Sequence, residues 1–477
     1  MLGDYRISGR RAADISASVE RAVGAGELRP NQLLPPMRVL AEQLGVNPNT
    51  VAAAYRTLRE RGVIETAGRR GSRVRSAPAT TGRDQFRVDV PEGVRDVAAG
   101  NPDPALLPPL AAAFAAAAAE ADRAPVLYGE DPVEPELARI ARAGLDADGV
   151  PDGPLAVVSG ALDGVERVLA AHLKPGDTVA VEDPGWGRTL DLVPALGLRT
   201  VPVGVDDDGP YAQDVRRALE AGARALIVTD RAQNPTGAAV SATRARALRS
   251  VLREHPETLL IEDDHGHGIV DIPLHPLAGV TRHWAFVRSA AKAYGPDLRL
   301  ALLTGDAVTV DRVRGRQRLG PGWVSRLTQR ALVRLWADGA VDTREVAAAY
   351  GRRRDALIEA LGRRGVAAHG RSGMNVWVPV PDETGAVARL QHAGWAVAPG
   401  ARFRMSAPPG IRVTVSTLAE NGSGDGDGGE KGNGDGDGGE KGNGDGDGGE
   451  KGNGGEIEVL ADAIASALGP APAWSYV

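Results

Sequence analysis

The chain has 477 residues and contains no cysteine, which excludes disulfide bonds and thiolate metal ligands. It also has no apolar run near the roughly 18 residues that a membrane span requires. The first 30 residues lack the charged-then-apolar profile of a secretory signal. These absences lead us to expect a cytoplasmic protein with no membrane partner.

Lysine is almost as scarce, with five residues against 51 arginines. Lys431, Lys441 and Lys451 lie in a glycine-rich repeat, so the rest of the chain has only Lys174 and Lys292. This chain uses arginine almost everywhere that a positive charge is needed. A lysine outside the repeat therefore indicates a need for an amine that can lose its proton, the group that forms a Schiff base with a carbonyl. Lys174 follows an apolar helix in a KPGD turn and is explained as a helix-end cation. Lys292 is therefore the candidate.

Charge is distributed unevenly along the chain. Residues 421–455 carry a net charge of −6, equal to the total for the protein, so the remainder is neutral. Within that remainder, residues 1–75 hold 13 arginines and seven acidic residues, a net charge of +6. A basic N-terminal head indicates a polyanionic partner, although a merely solvated surface would have the same charge.

Two short amphipathic helices are predicted within residues 34–66, because apolar residues recur at i, i+3, i+4 and i+7. The two stripes are Met37, Leu40, Ala41 and Leu44, and then Val51, Ala54, Tyr55 and Leu58. Gly45 ends the first helix, and Asn47 followed by Pro48 begins the second. This arrangement is typical of a DNA-binding helix-turn-helix, although an ordinary helical hairpin would show the same periodicity.

Residues 63–74 add two short extended pieces around a basic turn, as a wing that touches phosphates requires. With the pieces LP-x-x-R-x-LA and NTV-x-x-AY-x-x-L, residues 5–75 resemble the winged helix-turn-helix of GntR-type regulators. The resemblance implies a double-stranded DNA operator as partner and Tyr55 as a core residue. The DNA contacts that it implies are Arg38, Asn49, Thr50, Arg56, Arg70 and Arg73.

From residue 98 to 418, apolar runs alternate with helical patterns, which predicts an α/β fold with a mostly parallel central sheet. The clearest runs are 178–185, 225–230, 258–264 and 285–290. Ligands of such sheets bind beyond the carboxyl ends of the strands. The chemically distinctive residues of this region occur there, namely Trp186, Asn234, Asp263 and Lys292.

These residues match the needs of a pyridoxal 5′-phosphate (PLP) site: a lysine, an acid for the pyridine nitrogen, a stacking group, a donor to the phenolic oxygen and a phosphate cradle. Gly160 and Ala161 stand at a predicted helix start, where free N–H groups bind phosphate. Each signal alone has a simpler explanation: a turn for NPTG, a solvated loop for DDHGH, a core position for Trp186. A metal site at Asp263, Asp264, His265 and His267 is the alternative, but no HExxH-type spacing supports it.

Taken together, the motifs resemble fold-type I, class I/II aminotransferases over residues 98–468. The resemblance implies that Lys292 forms the Schiff base and Asp263 pairs with the pyridine nitrogen. The other implied cofactor contacts are Gly160, Ala161, Trp186, Asn234, Ser289, Arg299 and Tyr128. Tyr128 corresponds to a residue that reaches the neighbouring subunit's phosphate, which implies a homodimer.

Two positions depart from the family pattern, and one further arginine is assigned by it. His265 stands where many relatives have a tyrosine near the phenolic oxygen, and Ala291 replaces a frequent serine before the lysine. A histidine can still donate a hydrogen bond, so we expect cofactor binding to survive. Arg412 alternates with apolar residues in a strand and is implied to grip a substrate or effector carboxylate; the alternative is a salt bridge between domains.

The remaining segments complete the predicted domain organisation. We assign 1–75 to the DNA-binding domain, 76–97 to a linker with a flexible first half, and 98–477 to the aminotransferase-like domain. Residues 421–455 repeat every ten residues without an apolar side chain, so we expect a disordered insertion before a last amphipathic helix. The GDGDGG units have neither the period nor the apolar position of calcium-binding repeats.

A GntR-like head joined to an aminotransferase-like body is the architecture of MocR regulators. The sequence thus favours a transcriptional regulator that senses PLP, alone or with an amino acid or amine, and that controls vitamin B6 or amine metabolism. The alternative is an active PLP-dependent aminotransferase with an incidental head, because a fold does not determine a function.

Overall fold

The computed structural model describes residues 7–24, 27–28, 32–60, 63–66, 71–74, 82–83, 89–419 and 455–469. The head consists of α1 (Ala12–Gly24), α2 (Met37–Leu44) and α3 (Pro48–Glu60), followed by β1 (Ile64–Thr66) and β2 (Ser72–Val74). The two strands pair antiparallel and form the wing. Gly45 has φ 63°, a left-handed conformation that favours glycine and ends α2. The predicted winged helix-turn-helix is confirmed.

The stripe on α3 packs into the core of the head. All four of its apolar residues are buried, and the Tyr55 hydroxyl donates to the carbonyl of Pro35 at 2.8 Å. On α2 only the central residues Leu40 and Ala41 are buried, whereas Met37 is 42% exposed. Met37 occupies the first position of the helix, at the edge of the core.

The body begins with α4 (Ala111–Arg123) and α5 (Pro135–Ala147) and continues with a large sheet and its helices. Its strands are β4 (Leu155–Val158), β5 (Thr178–Asp183), β6 (Arg199–Asp206), β7 (Gly209–Pro210), β8 (Ala225–Thr229), β9 (Leu259–Asp264), β10 (His283–Ser289) and β11 (Ala301–Gly305). The helices between and after them are α6 (Ala161–His172), α7 (Gly187–Ala195), α8 (Ala212–Glu220), α9 (Ala242–Glu254), α10 (Ala291–Tyr294), α11 (Ala307–Arg318) and α12 (Arg326–Ala337).

The strand order in the large sheet is β4-β11-β10-β9-β8-β5-β6-β7. The neighbours from β10 to β6 are all parallel, while β11 and the short β7 run antiparallel to their neighbours. One apolar cluster packs α8 and α9 on one face, and a second packs α6, α7 and α11 on the other. This three-layer arrangement confirms the predicted α/β fold with a mostly parallel sheet.

A smaller unit follows, formed by α13 (Thr343–Arg363), β12 (Asn375–Pro379), α14 (Glu383–His392), β13 (Trp395–Ala396), β14 (Ala398–Pro399), β15 (Gly410–Thr414) and α15 (Glu456–Leu468). Strands β12, β15 and β14 form an antiparallel sheet whose core is shared with the three helices. A further strand, β3 (Arg95–Asp96), pairs parallel with β13. The last residues of the predicted linker thus pack with the body, and Val97 is buried in its core.

Some predictions fall on residues outside the described ranges. They are Arg70, most of the first half of the linker, and all of the repeat 421–455 except its last residue. The predicted C-terminal helix is present as α15, with Ile457, Leu460 and Ile464 buried. Among the described residues, no helix combines the length and the apolar character needed to cross a bilayer.

Candidate cofactor site and DNA-binding surface

The distinctive residues gather where the parallel strands of the body end. Asp263 is opposite Thr229 of β8 on one side and opposite Val287 of β10 on the other. The loop after β8 holds Asn234, and the short helix α10 after β10 holds Lys292. Carboxyl ends of adjacent parallel strands meet at one edge of a sheet, which is why separate sequence motifs form one site.

Lys292 is partly buried, and its Nζ donates to the carbonyl oxygen of Gly100 at 3.0 Å. Burial lowers the pKa of Lys292 to about 8, and the charge of Arg412 acts in the same direction, while Asp263 opposes the shift. A lower pKa leaves more of the amine neutral near physiological pH. Only the neutral amine has the lone pair that attacks a carbonyl.

Asp263 presents a free carboxylate oxygen to the site. The residue is 5% exposed; its Oδ2 lies 3.2 Å from Nδ1 of His265, while its Oδ1 has no hydrogen-bond partner. A buried carboxylate oxygen without a donor is costly. The pyridinium N–H of a bound cofactor is a donor of the kind that this oxygen lacks, so the residue fits the predicted role.

His265 contacts Asp263 and the main chain at Ala232. Its Nε2 is 2.8 Å from the Ala232 carbonyl, so that nitrogen must donate, and its Nδ1 faces the Asp263 carboxylate. Burial alone would lower the pKa of His265, but the Asp263 charge and hydrogen bond raise it. Both ring nitrogens are thus engaged within the chain. The role of His265 at a cofactor's phenolic oxygen stays a prediction.

Arg412 is a buried cation without a carboxylate partner in the described part of the chain. It is 3% exposed, its guanidinium donates to Asn234 Oδ1 at 3.0 Å and to the Ala98 carbonyl, and its Nε is unpaired. The guanidinium lies 4.8 Å from the ring centroid of Phe403. Burial, with a smaller effect of the Arg402 charge, lowers the pKa of Arg412 to about 9. The alternative of a domain-closing salt bridge is not what the described contacts show.

An uncompensated buried guanidinium favours an anionic ligand. Its contact with Asn234 also connects two predicted site residues, and its charge influences Lys292. Lys292, Asp263, Asn234 and Arg412 are thus brought together by direct contacts or by electrostatic proximity. In the sequence these residues belong to separate motifs, and in the folded chain they are neighbours.

The candidate phosphate cradle is the start of α6. Gly160 has φ 97°, a conformation that favours glycine, and its Cα lies close to the guanidinium of Arg299, since a Cβ there would be 2.5 Å from a guanidinium nitrogen. That guanidinium donates to the Ser159 carbonyl at 2.9 Å, which places Arg299 beside the helix start formed by Gly160 and Ala161. Ser289 is buried at the end of β10, and its Oγ accepts from the Ala291 amide at 3.2 Å.

Trp186 and Tyr128 occupy different surroundings. Trp186 is half-buried and directly precedes α7, in the loop after β5. Tyr128 is 93% exposed and touches Trp323 edge-on at 5.7 Å between ring centroids. Within one chain, none of the contacts of Tyr128 reaches Lys292 or Asp263. The predicted roles of both aromatic residues remain predictions.

Sequence reasoning missed Gln233, which joins two loops of the site. Its Nε2 donates to Glu182 Oε2 at 3.1 Å and to the Pro184 carbonyl at 2.8 Å, and its Oε1 accepts from the Thr236 hydroxyl at 2.6 Å. Burial raises the pKa of Glu182 to about 7. The only signal in the sequence is the position of Gln233 next to Asn234, because its burial is a tertiary property.

The metal alternative conflicts with the contacts of Asp264. This buried carboxylate receives two hydrogen bonds from Arg231, at 3.0 and 2.8 Å, and one from Arg288 at 2.9 Å. Although burial opposes ionisation, the two guanidinium groups hold the pKa of Asp264 well below its usual range. Among the described residues, no group of three or more His, Asp or Glu side chains is arranged to hold a metal ion.

The head presents most of its predicted DNA contacts to solvent. Arg38 on α2 and Asn49 and Arg56 on α3 are exposed, and Thr50 is half-buried. Arg73 on the wing instead forms an ion pair with Glu65 across β1 and β2, with Nε donating at 2.6 Å. A phosphate would therefore compete with Glu65 for this guanidinium.

Comparisons with known proteins agree with both halves of this description. The family "Aminotransferase class I and II" matches residues 96–422, and "Bacterial regulatory proteins, gntR family" matches residues 11–74. The vitamin B6 salvage pathway transcriptional repressor PtsJ of Salmonella typhimurium is 40% identical over 421 residues, which cover 87% of this chain and 96% of PtsJ. The chain belongs to the MocR-type regulators.

Two further proteins resemble this MocR-type chain, one in sequence and the other in fold. The pyridoxine biosynthesis regulator PdxR of Corynebacterium glutamicum is 28% identical over 73% of the chain and 78% of PdxR. The α-aminoadipate aminotransferase LysN of Thermus thermophilus, solved with N-(5′-phosphopyridoxyl)-L-leucine, has a TM-score of 0.62 and 19% identity over 79% of this chain and 93% of LysN. The latter shows the shared fold. In a MocR-type regulator, the class I/II body is a PLP-binding domain and the GntR head is a DNA-binding domain.

Proposed function

We propose that this protein binds operator DNA through α3 and the wing, and that occupation of the body by PLP changes its affinity for that DNA. The observation that carries the proposal is the coexistence of an exposed recognition helix with a buried cofactor site whose polar atoms lack partners. Two relatives, PtsJ and PdxR, are named as regulators of vitamin B6 salvage and of pyridoxine biosynthesis. We extend this to the chain as control of genes for vitamin B6 supply.

The described residues fit PLP by their own chemistry. When bound, PLP supplies an aldehyde for an amine and an electron-withdrawing ring. Lys292 offers an amine of lowered pKa, and Asp263 offers the unpaired Oδ1 to a ring N–H. The start of α6 has no side-chain cap, so the N–H groups that follow Gly160 are available to a phosphate, while that of Gly160 donates to the Val158 carbonyl at 2.8 Å.

Arg412 is the residue that we propose binds a second ligand, an amino acid or another amine that carries a carboxylate. Its Nε lacks a partner, and its guanidinium holds only neutral oxygens. A carboxylate would give this buried cation the charged partner that it lacks. In this proposal the carboxylate binds Arg412 while Lys292 positions the cofactor.

The proposed assembly is a homodimer that acts in the cytoplasm, where its DNA partner is found. Tyr128 supports the dimer because it is almost fully exposed and yet corresponds to a cofactor contact in the aminotransferases. In the dimer, we propose, Tyr128 of one subunit contacts the phosphate held by the other.

The experiment combines a gel shift with covalent trapping. The full-length protein is titrated with DNA from upstream of its own gene, with and without PLP, and the loaded protein is reduced with borohydride before peptide mapping. We expect PLP to change the operator affinity and the pyridoxyl group to be found on Lys292. The Lys292→Ala variant should bind the operator without responding to PLP, whereas Lys174→Ala should behave as wild type.

Other outcomes would reject the proposal. Label on Lys174 would refute the assignment of the amine. A wild-type response to PLP in Lys292→Ala would show that this residue is not part of the sensor. Multiple turnovers of 2-oxoglutarate with amino acids, without any DNA binding, would instead favour an aminotransferase.

A further inference from the structure

Arg83, in the segment between the two domains, binds to Asp191 on the surface of the body. The main-chain N–H of Arg83 donates to Asp191 Oδ2 at 3.0 Å, and the Arg83 guanidinium donates to Asp191 Oδ1 at 2.8 Å. The two side chains are only 22% and 13% exposed. Most exposed ion pairs contribute little because both side chains stay mobile. Here one residue holds both carboxylate oxygens through its main chain and its side chain, so its position is defined.

Arg83 contacts two different parts of the body. Asp191 lies on α7, in the large unit. A second guanidinium nitrogen of Arg83 is 3.4 Å from the carbonyl oxygen of Arg404, in the segment 402–407 that precedes β15 of the small unit. A Cβ added to Gly187 would lie 3.4 Å from Cδ of Arg83, so the arginine stem also packs against the start of α7.

The segment 402–407 leads from Arg83 to the candidate site. Its Phe403 is 3% exposed and lies under the guanidinium of Arg412. The Phe403 carbonyl accepts from the Gly185 amide at 2.7 Å, in the loop that ends at Trp186. Asp183 accepts from three consecutive main-chain N–H groups of the segment, at 2.8 to 2.9 Å. An unbroken series of contacts therefore joins Arg412 to Arg83.

We propose that the contact of Arg83 with Asp191 and Arg404 transmits the occupancy of the cofactor and effector site to the DNA-binding head. The inference rests on the proposed function. Because the partners of Arg83 belong to different units, its contacts are complete in only one arrangement of α7 and the segment 402–407. A ligand that binds this arrangement more tightly also stabilises the contacts of Arg83 with Asp191 and Arg404. A ligand that binds both arrangements equally well would not change the operator affinity.

The test measures operator affinity with and without saturating PLP in full-length variants. Arg83→Gln and Asp191→Asn should bind PLP as wild type does, but the ratio of the two operator affinities should fall to about 1 from a wild-type value of about 5 to 150, the usual range for coupled sites. Arg83→Lys keeps the positive charge and the main-chain hydrogen bond to Asp191, so it should retain a large part of the ratio. Arg95→Gln is the matched control, because Arg95 pairs with Glu456 at 2.7 Å without touching α7 or 402–407.

Hydrogen exchange of the Arg83 amide separates failure of this inference from failure of the proposed function. That amide donates to Asp191, so in wild type its protection should change on PLP binding, and in Asp191→Ala, which has no side-chain acceptor, it should be low in both states. A wild type whose operator affinity ignores PLP would refute the proposed function alone. Equal Arg83 protection with and without PLP, or a wild-type affinity ratio in Arg83→Gln, would overturn the role of Arg83.

Discussion

At the residue scale, the site depends on charges that are buried without full compensation. Arg412 and Lys292 are two basic groups that lie near each other. The charge of Arg412 lowers the pKa of Lys292, and the charge of Asp263 raises it. Burial lowers the pKa of both groups, and a like charge adds to the effect: that of Arg412 at Lys292 and that of Arg402 at Arg412. The result is an amine that becomes reactive at a pH near 8 and a guanidinium that attracts anions.

This arrangement predicts how the pH dependence responds to Arg412. The rate at which the protein without cofactor captures PLP should rise as the pH passes about 8, because the neutral fraction of Lys292 increases. Arg412→Gln removes the neighbouring positive charge, so the pKa of Lys292 and the midpoint of the profile should move upward. Arg412→Lys keeps the charge and should leave the midpoint in place. Stopped-flow absorbance at several pH values measures both, and an unshifted midpoint in Arg412→Gln would contradict the proximity argument.

At the element scale, the loops after β5 and β8 are held together by buried polar groups. Glu182, at the end of β5, accepts from the Thr229 amide at 2.9 Å and from Gln233. Since Gln233 also binds the Pro184 carbonyl, one amide side chain fixes the loops of both Trp186 and Asn234. Buried polar networks of this kind stabilise a unique arrangement only when their members are satisfied.

The raised pKa of Glu182 gives the fold a measurable pH dependence. A carboxyl whose pKa rises from 4.5 to about 7 on folding contributes stability that is complete below pH 4.5 and is lost as the pH rises through 7. Relative to Glu182→Gln, wild type should therefore lose about 3 kcal/mol of unfolding free energy between pH 4 and pH 8, at roughly 1.4 kcal/mol per pKa unit. Urea unfolding at each pH measures the difference. A flat difference for Glu182→Gln would contradict the prediction.

The recognition helix allows a second prediction at this scale. Base contacts determine sequence preference, whereas phosphate contacts determine affinity and its salt dependence. Arg56→Ala should reduce the slope of log K against log salt by about 0.9 for one lost phosphate contact. Asn49→Ala should instead weaken operator binding more than binding to random DNA. Equal losses on both DNAs for Asn49→Ala would mean that α3 does not read the bases as proposed.

At the scale of the whole molecule, the proposed homodimer would bring Tyr128 of a second chain to the candidate site. Tyr128 lies on an exposed loop between α4 and α5, and Leu127 beside it is 65% exposed. Large apolar side chains that stay exposed in one chain are candidates for an interface. If the proposed dimer is correct, each complete site combines Lys292 of one subunit with Tyr128 of the other.

Hybrid dimers test whether Lys292 and Tyr128 of one site come from different subunits. Lys292→Ala and Tyr128→Ala chains should each bind PLP poorly as homodimers. After unfolding and refolding together, one site of each hybrid should regain both residues, so tight binding should return at up to one PLP per hybrid dimer. Spectroscopic titration of purified hybrids measures the stoichiometry. No recovery would place the role of Tyr128 within its own chain or remove it altogether.

The sequence by itself determined the two domains' folds and the order of the cofactor motifs. Periodicity predicted α3 because Val51, Ala54, Tyr55 and Leu58 recur on one helical face, and continuous apolar runs predicted the buried parallel strands. The scarcity of lysine singled out Lys292. These are local properties of the chain, so they can be read without coordinates.

Only the tertiary structure decided how distant residues meet. His265 contacts the Ala232 carbonyl, 33 residues earlier in the chain. The pairing of Arg83 with Asp191 spans 108 residues, and that of Arg412 with Asn234 spans 178. Burial, unpaired charge and shifted pKa values arise from such long-range packing, and no pattern within a short window encodes them.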